Sequence, residues 1–418
     1  MRRLLALVAI AALASGCGGE PILANEPLTF PTPPVPTEAP SRPPDPIPVE
    51  LPRDDGPHDR LTEWWYYTGH LSTHGQGARQ TFGFEAVIFR AERGGVPVAW
   101  ASHLALTDEN GQRFTYAQRT GIGPQVDRSP RGPDGQPTGF DLNIAGLNPD
   151  LVAAGAAPVA TNPWRLAGSD GTDHIEAALS PEEAEASGRT FGLSLDLKST
   201  KPPALHDHDG FVDFSDAGSS YYYSRTRLAA TGTLTVDGHE MAVDGIAWFD
   251  HQWGDFVSVG SGGWNWFAIN LDDGTDITIS QIVDSYASVI HAYGTRVAPD
   301  GTVTYIGEEQ LVSVTSLGGG FYQWTSPRTA RTWATDWIVP IQHDSPEFIQ
   351  DILEVKATLP SQELDTRATT GVVYWEGSAT VAGAFDVGID QLTGLPTDGT
   401  RVTGDAYVEM TRYDAVSN

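Results

Sequence analysis

A single cysteine, Cys17, stands in 418 residues, and three lysines accompany 22 arginines. One thiol excludes a disulfide scaffold and any cysteine-based zinc or iron–sulfur centre. Basic charge is scarce: 25 Lys and Arg face 54 Asp and Glu, a formal charge of −29. So acidic a surface repels phosphate backbones, and nucleic acid is not an expected partner. The chain also lacks a Gly-x-Ser-x-Gly elbow, a His-Glu-x-x-His pair, a P-loop and a dinucleotide fingerprint. Their absence argues against the usual α/β serine esterases, zincin peptidases and nucleotide-dependent enzymes, and no cofactor is expected. No apolar run approaches the ~20 residues of a membrane-spanning helix. What is plentiful is 45 Gly, 30 Pro, 12 Trp and 13 Tyr, a composition of many strands and tight turns.

Residues 1–16 read as a secretory leader, with Arg2 and Arg3 ahead of an apolar stretch and Ala14-Ser15-Gly16 at its end. Cys17 follows at once, in the lipobox position of bacterial lipoproteins. The expectation is lipidation at Cys17 and anchoring to a membrane of the bacterial cell envelope, since two or more acyl chains hold stably where one is marginal. The rest of segment 17–53 is dense in proline, from Pro31 to Pro52, and is expected to be an extended tether.

Beyond it, short alternating segments are separated by turn pairs. Thr81 to Phe89 reads as a strand with Phe82, Phe84, Ala86 and Ile88 on one face and Gly83, Glu85, Val87 and Phe89 on the other. Turn signals recur at Asn110-Gly111, Asp237-Gly238, Asp273-Gly274, Asp300-Gly301 and Asp398-Gly399. Only Ser180 to Ser187 looks helical, with Pro181 just after a serine cap. The halves echo each other: 101–116 matches 291–305 in pattern, and 221–234 matches 373–385. Each half ends in a closing strand, 245–253 and 404–413. Such a loose repeat predicts two similar antiparallel β-barrels or sandwiches, 57–258 and 259–418.

Chemistry-bearing side chains gather in aromatic company. In Glu63-Trp-Trp-Tyr-Tyr-Thr-Gly-His-Leu71, Glu63, Trp65 and Tyr67 share one strand face while Trp64, Tyr66 and His70 share the other. Two further clusters are Trp248-Phe-Asp-His-Gln-Trp-Gly-Asp255 and Gly263-Trp-Asn-Trp-Phe-Ala-Ile269. Carboxyls and imidazoles among indoles and phenols could line an apolar ligand cavity, or simply fill barrel cores and tie down loops. Carboxyls beside so much aromatic surface are the candidates for raised pKa values. His206-Asp207-His208-Asp209 could offer metal ligands, but it lies in a loop flanked by Pro and Gly, where solvated polar residues are usual, and no metal is expected.

These strings appear in order with Lys201-Pro-Pro, Tyr222-Tyr-Ser224, Tyr374-Trp-Glu-Gly377 and Ala406-Tyr-Val-Glu-Met-Thr411. Together the chain resembles the hydroxyneurosporene synthase (carotenoid hydratase) family, which includes kievitone-hydratase-like proteins, over residues 57–414. The resemblance implies an all-β fold of two tandem lipocalin-like antiparallel β-barrel domains with a ligand cavity near their junction. It implies addition of water to a carbon–carbon double bond of isoprenoid substrates, or cyclisation. It marks His251, Trp253 and neighbouring Asp250. A Tyr and an Asp that the carotenoid branch carries one strand later fall near Thr278 and Ser280, with Asp276 close by, and the closing motif reads Thr411-Arg412-Tyr413.

The leading expectation is a lipid-anchored module that binds a hydrophobic, isoprenoid- or lipid-like small molecule. Its alternative is a cofactor-free hydratase or cyclase, and a weaker third reading is an envelope interaction protein. In the enzyme reading an acid among Asp250, Glu63, Glu85 and Glu376 protonates an alkene. Aromatic faces steady the cation, and His251 deprotonates water. Ligand contacts are expected from Trp65, Tyr67, Tyr222, Trp253, Trp264, Trp266, Trp375 and Glu376.

Overall fold

Alternation with a period of two builds this chain: strands away from the junction alternate buried with more exposed residues, as in Thr172–Ala178 and Phe191–Ser199, whereas Thr62–Thr73 and Thr81–Ala91 are buried on both faces. The computed structural model describes residues 45–74, 78–94, 96–213, 218–256, 262–286, 288–311, 315–316, 322–343, 349–388 and 397–412. The leader, Cys17 and most of the proline tether lie outside the described residues.

The first sheet takes β1 (Thr62–Thr73), β2 (Thr81–Ala91), β3 (Ala99–Asp108), β4 (Arg113–Ile122), β5 (Phe140–Gly146), β6 (Val159–Ser169), β7 (Thr172–Ala178), β8 (Phe191–Ser199), β9 (Ala204–Leu205), β10 (Phe211–Asp213), β11 (Ser219–Val236) and β12 (His239–Gly254). The second takes β13 (Gly263–Leu271), β14 (Asp276–Val283), β15 (Val289–Val297), β16 (Val303–Ile306) and β17 (Thr315–Ser316). A small separate ladder joins β18 (Gln323–Thr325) to β19 (Thr332–Ala334). The second sheet then resumes with β20 (Asp336–Gln342), β21 (Gln350–Ala357), β22 (Glu363–Asp365), β23 (Val373–Val387) and β24 (Thr400–Arg412).

Strand order runs β4-β3-β2-β1-β12-β11-β8-β7-β6-β5 in the first sheet and β16-β15-β14-β13-β24-β23-β21-β20-β17 in the second. The two paths are the same topology written twice. The sequence echoes fall on equivalent places: β3–β4 against β15–β16, β11 against β23, and closing strand β12 against β24. The first sheet curls into a nearly closed barrel and the second into a half-barrel, so the all-β, two-barrel expectation holds. The predicted turns sit between paired strands. Asp237 and Gly238, with φ of 50° and 80°, make the tight β11–β12 hairpin in the left-handed region that glycine tolerates.

Edge strands β4 and β5 meet without a ladder, and one side chain closes the seam. Arg119 of β4 donates to the carbonyls of Ile144 and Asn162 and is paired with Glu183 at 2.7 Å, both side chains fully buried. Its guanidinium lies 4.0 Å from the Trp164 ring. Glu183 belongs to the helix predicted from sequence, Pro181–Ser187, and also completes a capping box with Ser180. A second short helix, Pro149–Ala153, was not anticipated, although Asn148 caps it just ahead of Pro149 as Ser180 does ahead of Pro181.

The inward faces form two separate cores. Trp65, Tyr67, Phe84, Phe249 and Trp253 belong to the first, and Phe267, Trp337, Trp375 and Val408 to the second. The outward faces of β1, β2 and β12 pack against those of β13, β23 and β24 through Tyr66, Val87, Trp248, Trp266 and Tyr407. A buried ion cluster clasps the barrels together. Asp276 of the second is fully buried and receives Lys201 and Arg227 of the first, each at 2.7 Å, with Thr226 donating as well.

Candidate functional site between the barrels

Because β1 and β12 are buried on both faces, each delivers two sets of side chains to two places. Inward, β1 sends Glu63, Trp65 and Tyr67, while β12 sends Phe249, His251 and Trp253. Outward, β1 sends Trp64 and Tyr66, and β12 sends Trp248, Asp250 and Gln252. The outward set meets Trp264 and Trp266 of β13, Tyr374 and Glu376 of β23, and Glu409 and Thr411 of β24 around one cavity at the junction. Phe89, Tyr222, Ser280 and Tyr293 complete much of its wall, and among the described residues no Lys or Arg lines it.

Asp250 is held by three donors. The Tyr222 phenol donates to Oδ2 at 2.6 Å, and Ser224 Oγ and Trp248 Nε1 donate to Oδ1 at 2.5 and 2.7 Å. Burial pushes its carboxyl up, the three donors pull it back, and it settles at about 6. Trp266 Nε1 donates to the Tyr222 oxygen at 3.1 Å, which ties an indole of the second barrel to this carboxyl.

The opposite wall carries carboxyls with weaker support. Glu409 is pushed up to about 7 by burial, against donation from Thr411 at 2.7 Å. Glu376 is raised well above the ordinary carboxyl range by burial and by the charges of Glu85 and Glu409, although the Tyr66 phenol donates to it. Glu85, just behind, is raised by burial and by Glu409, and its Oε2 has no hydrogen-bond partner. Buried carboxyls that share a site with like charges are held toward their protonated forms.

Asp250 and Glu409 are counterparts in the repeat. Asp250 pairs with Tyr66 across β12–β1, as Glu409 pairs with Trp266 across β24–β13.

The barrel interior handles its carboxylate otherwise. Both oxygens of Glu63 are engaged: His58 Nδ1 lies 2.7 Å and His251 Nε2 3.0 Å from Oε1, and the His58 amide donates to Oε2 at 3.0 Å. Burial opposes its charge, but the His58 charge and the two imidazole bonds win, holding Glu63 down at about 2. His58 stacks flat on Trp253 at 4.1 Å, and Trp65 stacks on His251 at 4.7 Å. Ligand atoms of His58, Glu63 and His251 lie within 4.8 Å of one another, close enough to hold a metal ion. A metal-bound imidazole donates its other N–H to an acceptor, however, and His251 Nδ1 is buried with no partner. The trio therefore fits a hydrogen-bonded ion network better than a metal site. A second group, His343, Asp351 and Asp386, lies at the far edge of the half-barrel.

The residues singled out from sequence are thus divided. Asp250, Glu376, Tyr222, Trp264 and Trp266 line the junction cavity, with Glu85 behind it. Glu63, His251, Trp65, Tyr67 and Trp253 lie inside the first barrel, and Trp375 lies inside the second, its indole donating to the Pro360 carbonyl. Asp276 sits in the ion clasp rather than in the cavity, whose wall at the Ser280 position is a hydroxyl. Sequence reasoning did not single out Glu409, Tyr374, Phe89 or Tyr293, or the cavity role of Trp64 and Tyr66. Alternation around Val408 and Met410 was the available signal for Glu409. The His206–Asp209 stretch splits, His206 buried and His208 exposed.

The model of a family described as AttH-like matches residues 42–413. Among solved structures, an AttH protein of Nitrosomonas europaea is 25% identical, with a TM-score of 0.65 over 88% of this chain and 98% of that one. Kievitone hydratase of Nectria haematococca is 15% identical, with a TM-score of 0.59 over 87% of this chain and 93% of that one. No curated protein matches this chain.

Proposed function

This chain belongs to the AttH-like family, and we propose that its junction cavity binds a small, largely apolar molecule and performs cofactor-free acid–base chemistry on a carbon–carbon double bond. One observation carries the reading: Asp250, raised to about 6, shares an aromatic cavity with Glu376, which keeps its proton, and with Glu409, raised to about 7. Carboxyls whose surroundings push their proton affinities apart divide into acid and base. In a hydration, Glu376 or Glu409 gives its proton to one alkene carbon. Water adds to the other carbon and loses a proton to Asp250, so that one water is gained in all. Return of that proton to the acid resets the site. Indoles and phenols of the wall stabilise the positive charge that develops, and the lack of a lining cation leaves it unopposed. The same acid without water would serve a cyclisation. His251 faces the barrel interior, so the base is assigned to Asp250 instead. The fold is also that of a solved hydratase.

The test incubates the full chain with a lipid extract and a panel of isoprenoid alkenes in oxygen-18 water, followed by mass spectrometry. Gain of one labelled water with the wild type, and not with Asp250→Asn or Glu376→Gln, is the expected result. An apolar ligand retained with unchanged mass and structure by all three proteins would leave a carrier and remove the enzyme.

Placement at the bacterial envelope through a lipid on Cys17 is a second part of the proposal, supported by the leader and the cysteine that follows it. Cys17→Ser should move the protein from the membrane to the soluble fraction.

A further inference from the structure

Two histidines outside the cavity are fully buried, neutral and wedged between the barrels, and each reaches a carboxyl at the cavity wall or just behind it through one hydroxyl. Burial drives both imidazoles down to about 3, so each has one N–H and one bare nitrogen. Proton accounting then fixes the direction of every bond.

Consider His206 first. Ser224 spends its only proton on Asp250 Oδ1, so His206 Nε2, 2.7 Å from Ser224 Oγ, must donate. His206 Nδ1 is then bare and accepts from Thr295 Oγ1 of the second barrel at 3.0 Å. Thr295, His206 and Ser224 all donate toward Asp250, an arrangement that favours a carboxylate. Around that carboxyl also stand Tyr222, Tyr293 and Glu409.

The chain at His103 runs the other way. Thr369 Oγ1 donates to Gln118 Oε1 at 2.6 Å, while the Gln118 amide nitrogen is committed to the Asp365 carbonyl at 2.8 Å. His103 Nε2, 3.1 Å from Thr369 Oγ1, therefore donates, and the bare Nδ1 takes the proton of the Tyr374 phenol. With that proton spent, the 3.3 Å contact between Tyr374 and Glu85 Oε1 closes only if Glu85 carries the hydrogen. Tyr66, Tyr407, Glu376 and Glu409 surround the same pocket of acids, and none brings a positive charge.

We propose that His206 and His103 are positioning residues that fix, by the opposed directions of these two hydrogen-bond chains, Asp250 as the ionised base of the cavity and Glu85 as its protonated store. The inference rests on the acid–base reading of the cavity for its purpose, but its geometry stands apart from turnover. Neither imidazole takes or gives a proton in the cycle. Each decides, through a hydroxyl, which way a carboxyl is served. His206 accounts for the one buried member of the His206-Asp207-His208-Asp209 stretch whose chemistry the cavity alone does not use.

The test reads the carboxyls directly. Full-length protein labelled with carbon-13 at the Asp and Glu side-chain carboxyls is titrated by NMR, the two resonances being assigned with Asp250→Asn and Glu85→Gln. His206→Phe removes the donor to Ser224 and should raise the Asp250 midpoint by about one pH unit. His206→Gln, which keeps a donor, should restore it. Ser224→Ala should raise it similarly and make a further His206→Phe change silent. His103→Leu frees the Tyr374 proton for Glu85 and should lower the Glu85 midpoint. Opposite signs at the two sites are the signature. An Asp250 midpoint unmoved by His206→Phe and Ser224→Ala, or a Glu85 midpoint that rises in His103→Leu, overturns the proposal. No turnover enters these readings, so a protein inert toward every alkene would remove the enzyme reading while leaving this result to stand or fall by itself.

Discussion

Glu63 and Asp250 sit on neighbouring strands, both are almost wholly buried, and their proton affinities move in opposite directions. Burial disfavours both charges, so burial cannot be the difference. Inside the barrel Glu63 meets two imidazoles, with the Arg90 guanidinium 3.9 Å away. Facing the junction, Asp250 meets a phenol, a hydroxyl and an indole, and the acids beyond it have still less. The two faces of one pair of strands thus hold a carboxylate fixed in an ion network and one whose proton affinity is raised, the proposed base. Where cations are supplied, charge is spent on holding the fold; where they are withheld, protons stay available.

The largest effects should break that division most visibly. Asp250→Asn and Glu376→Gln should each reduce turnover by about 10²–10⁴-fold with no loss of melting temperature, as kinetics and calorimetry on the same samples would reveal. Glu63→Ala should do the reverse. It strands the charge on buried His58, leaves His251 Nε2 without its acceptor, and should cost about 3–5 kcal/mol of stability, readable from the urea midpoint. Equal losses of turnover and stability in all three variants would erase the distinction between the faces.

Titrating stability sharpens it further. Glu63 has a lowered carboxyl, so its contribution is present above its ordinary value of 4.5 and is lost as pH falls through about 2. Asp250 and Glu409 have raised carboxyls. Their contribution is complete below their ordinary values of 3.8 and 4.5 and is lost as pH rises through about 6 and 7. Stability should therefore decline as pH rises from about 4 to about 7 and level off above that. Asp250→Asn should flatten that slope by about 3 kcal/mol, while Glu63→Ala should flatten only the acid limb. Denaturant midpoints at pH 3, 5 and 8 decide it.

The barrels were legible because alternation, turn pairs and the internal echo are local signals. Phe82, Phe84, Ala86 and Ile88 announce a face, and Asp237-Gly238 announces a hairpin. The site was legible only as a set of motifs. Glu63-Trp-Trp-Tyr-Tyr reveals that Trp65 and Tyr66 point apart, but not that Tyr66 meets Glu376, 310 residues away. When both faces of a strand are buried, composition no longer separates core from cavity, and His251 and Asp250, adjacent in sequence, look equally chemical. Packing of one barrel against the other decides between them, and that information is distributed over the chain. His206 was harder still, since its partners Ser224 and Thr295 come from different barrels.

The smallest test compares two tryptophans that the sequence presents alike. Trp375 is fully buried in the second core, and its indole donates to the Pro360 carbonyl at 2.7 Å. Trp266 lines the cavity, and its indole donates to Tyr222 at 3.1 Å. Replacement by Phe removes one hydrogen bond and part of a ring in both cases, a loss of about 1–2 kcal/mol. For Trp375→Phe that loss should fall on the denaturant midpoint and leave retention of an apolar ligand alone. For Trp266→Phe the hydrogen bond lost is one that steadies Tyr222, and through it Asp250 Oδ2. Its cost should therefore appear as a several-fold weaker ligand affinity and a displaced pH profile of turnover, with little change in the midpoint. If the Trp375 variant released the ligand and the Trp266 variant kept it, the site would have to move from the junction into the half-barrel.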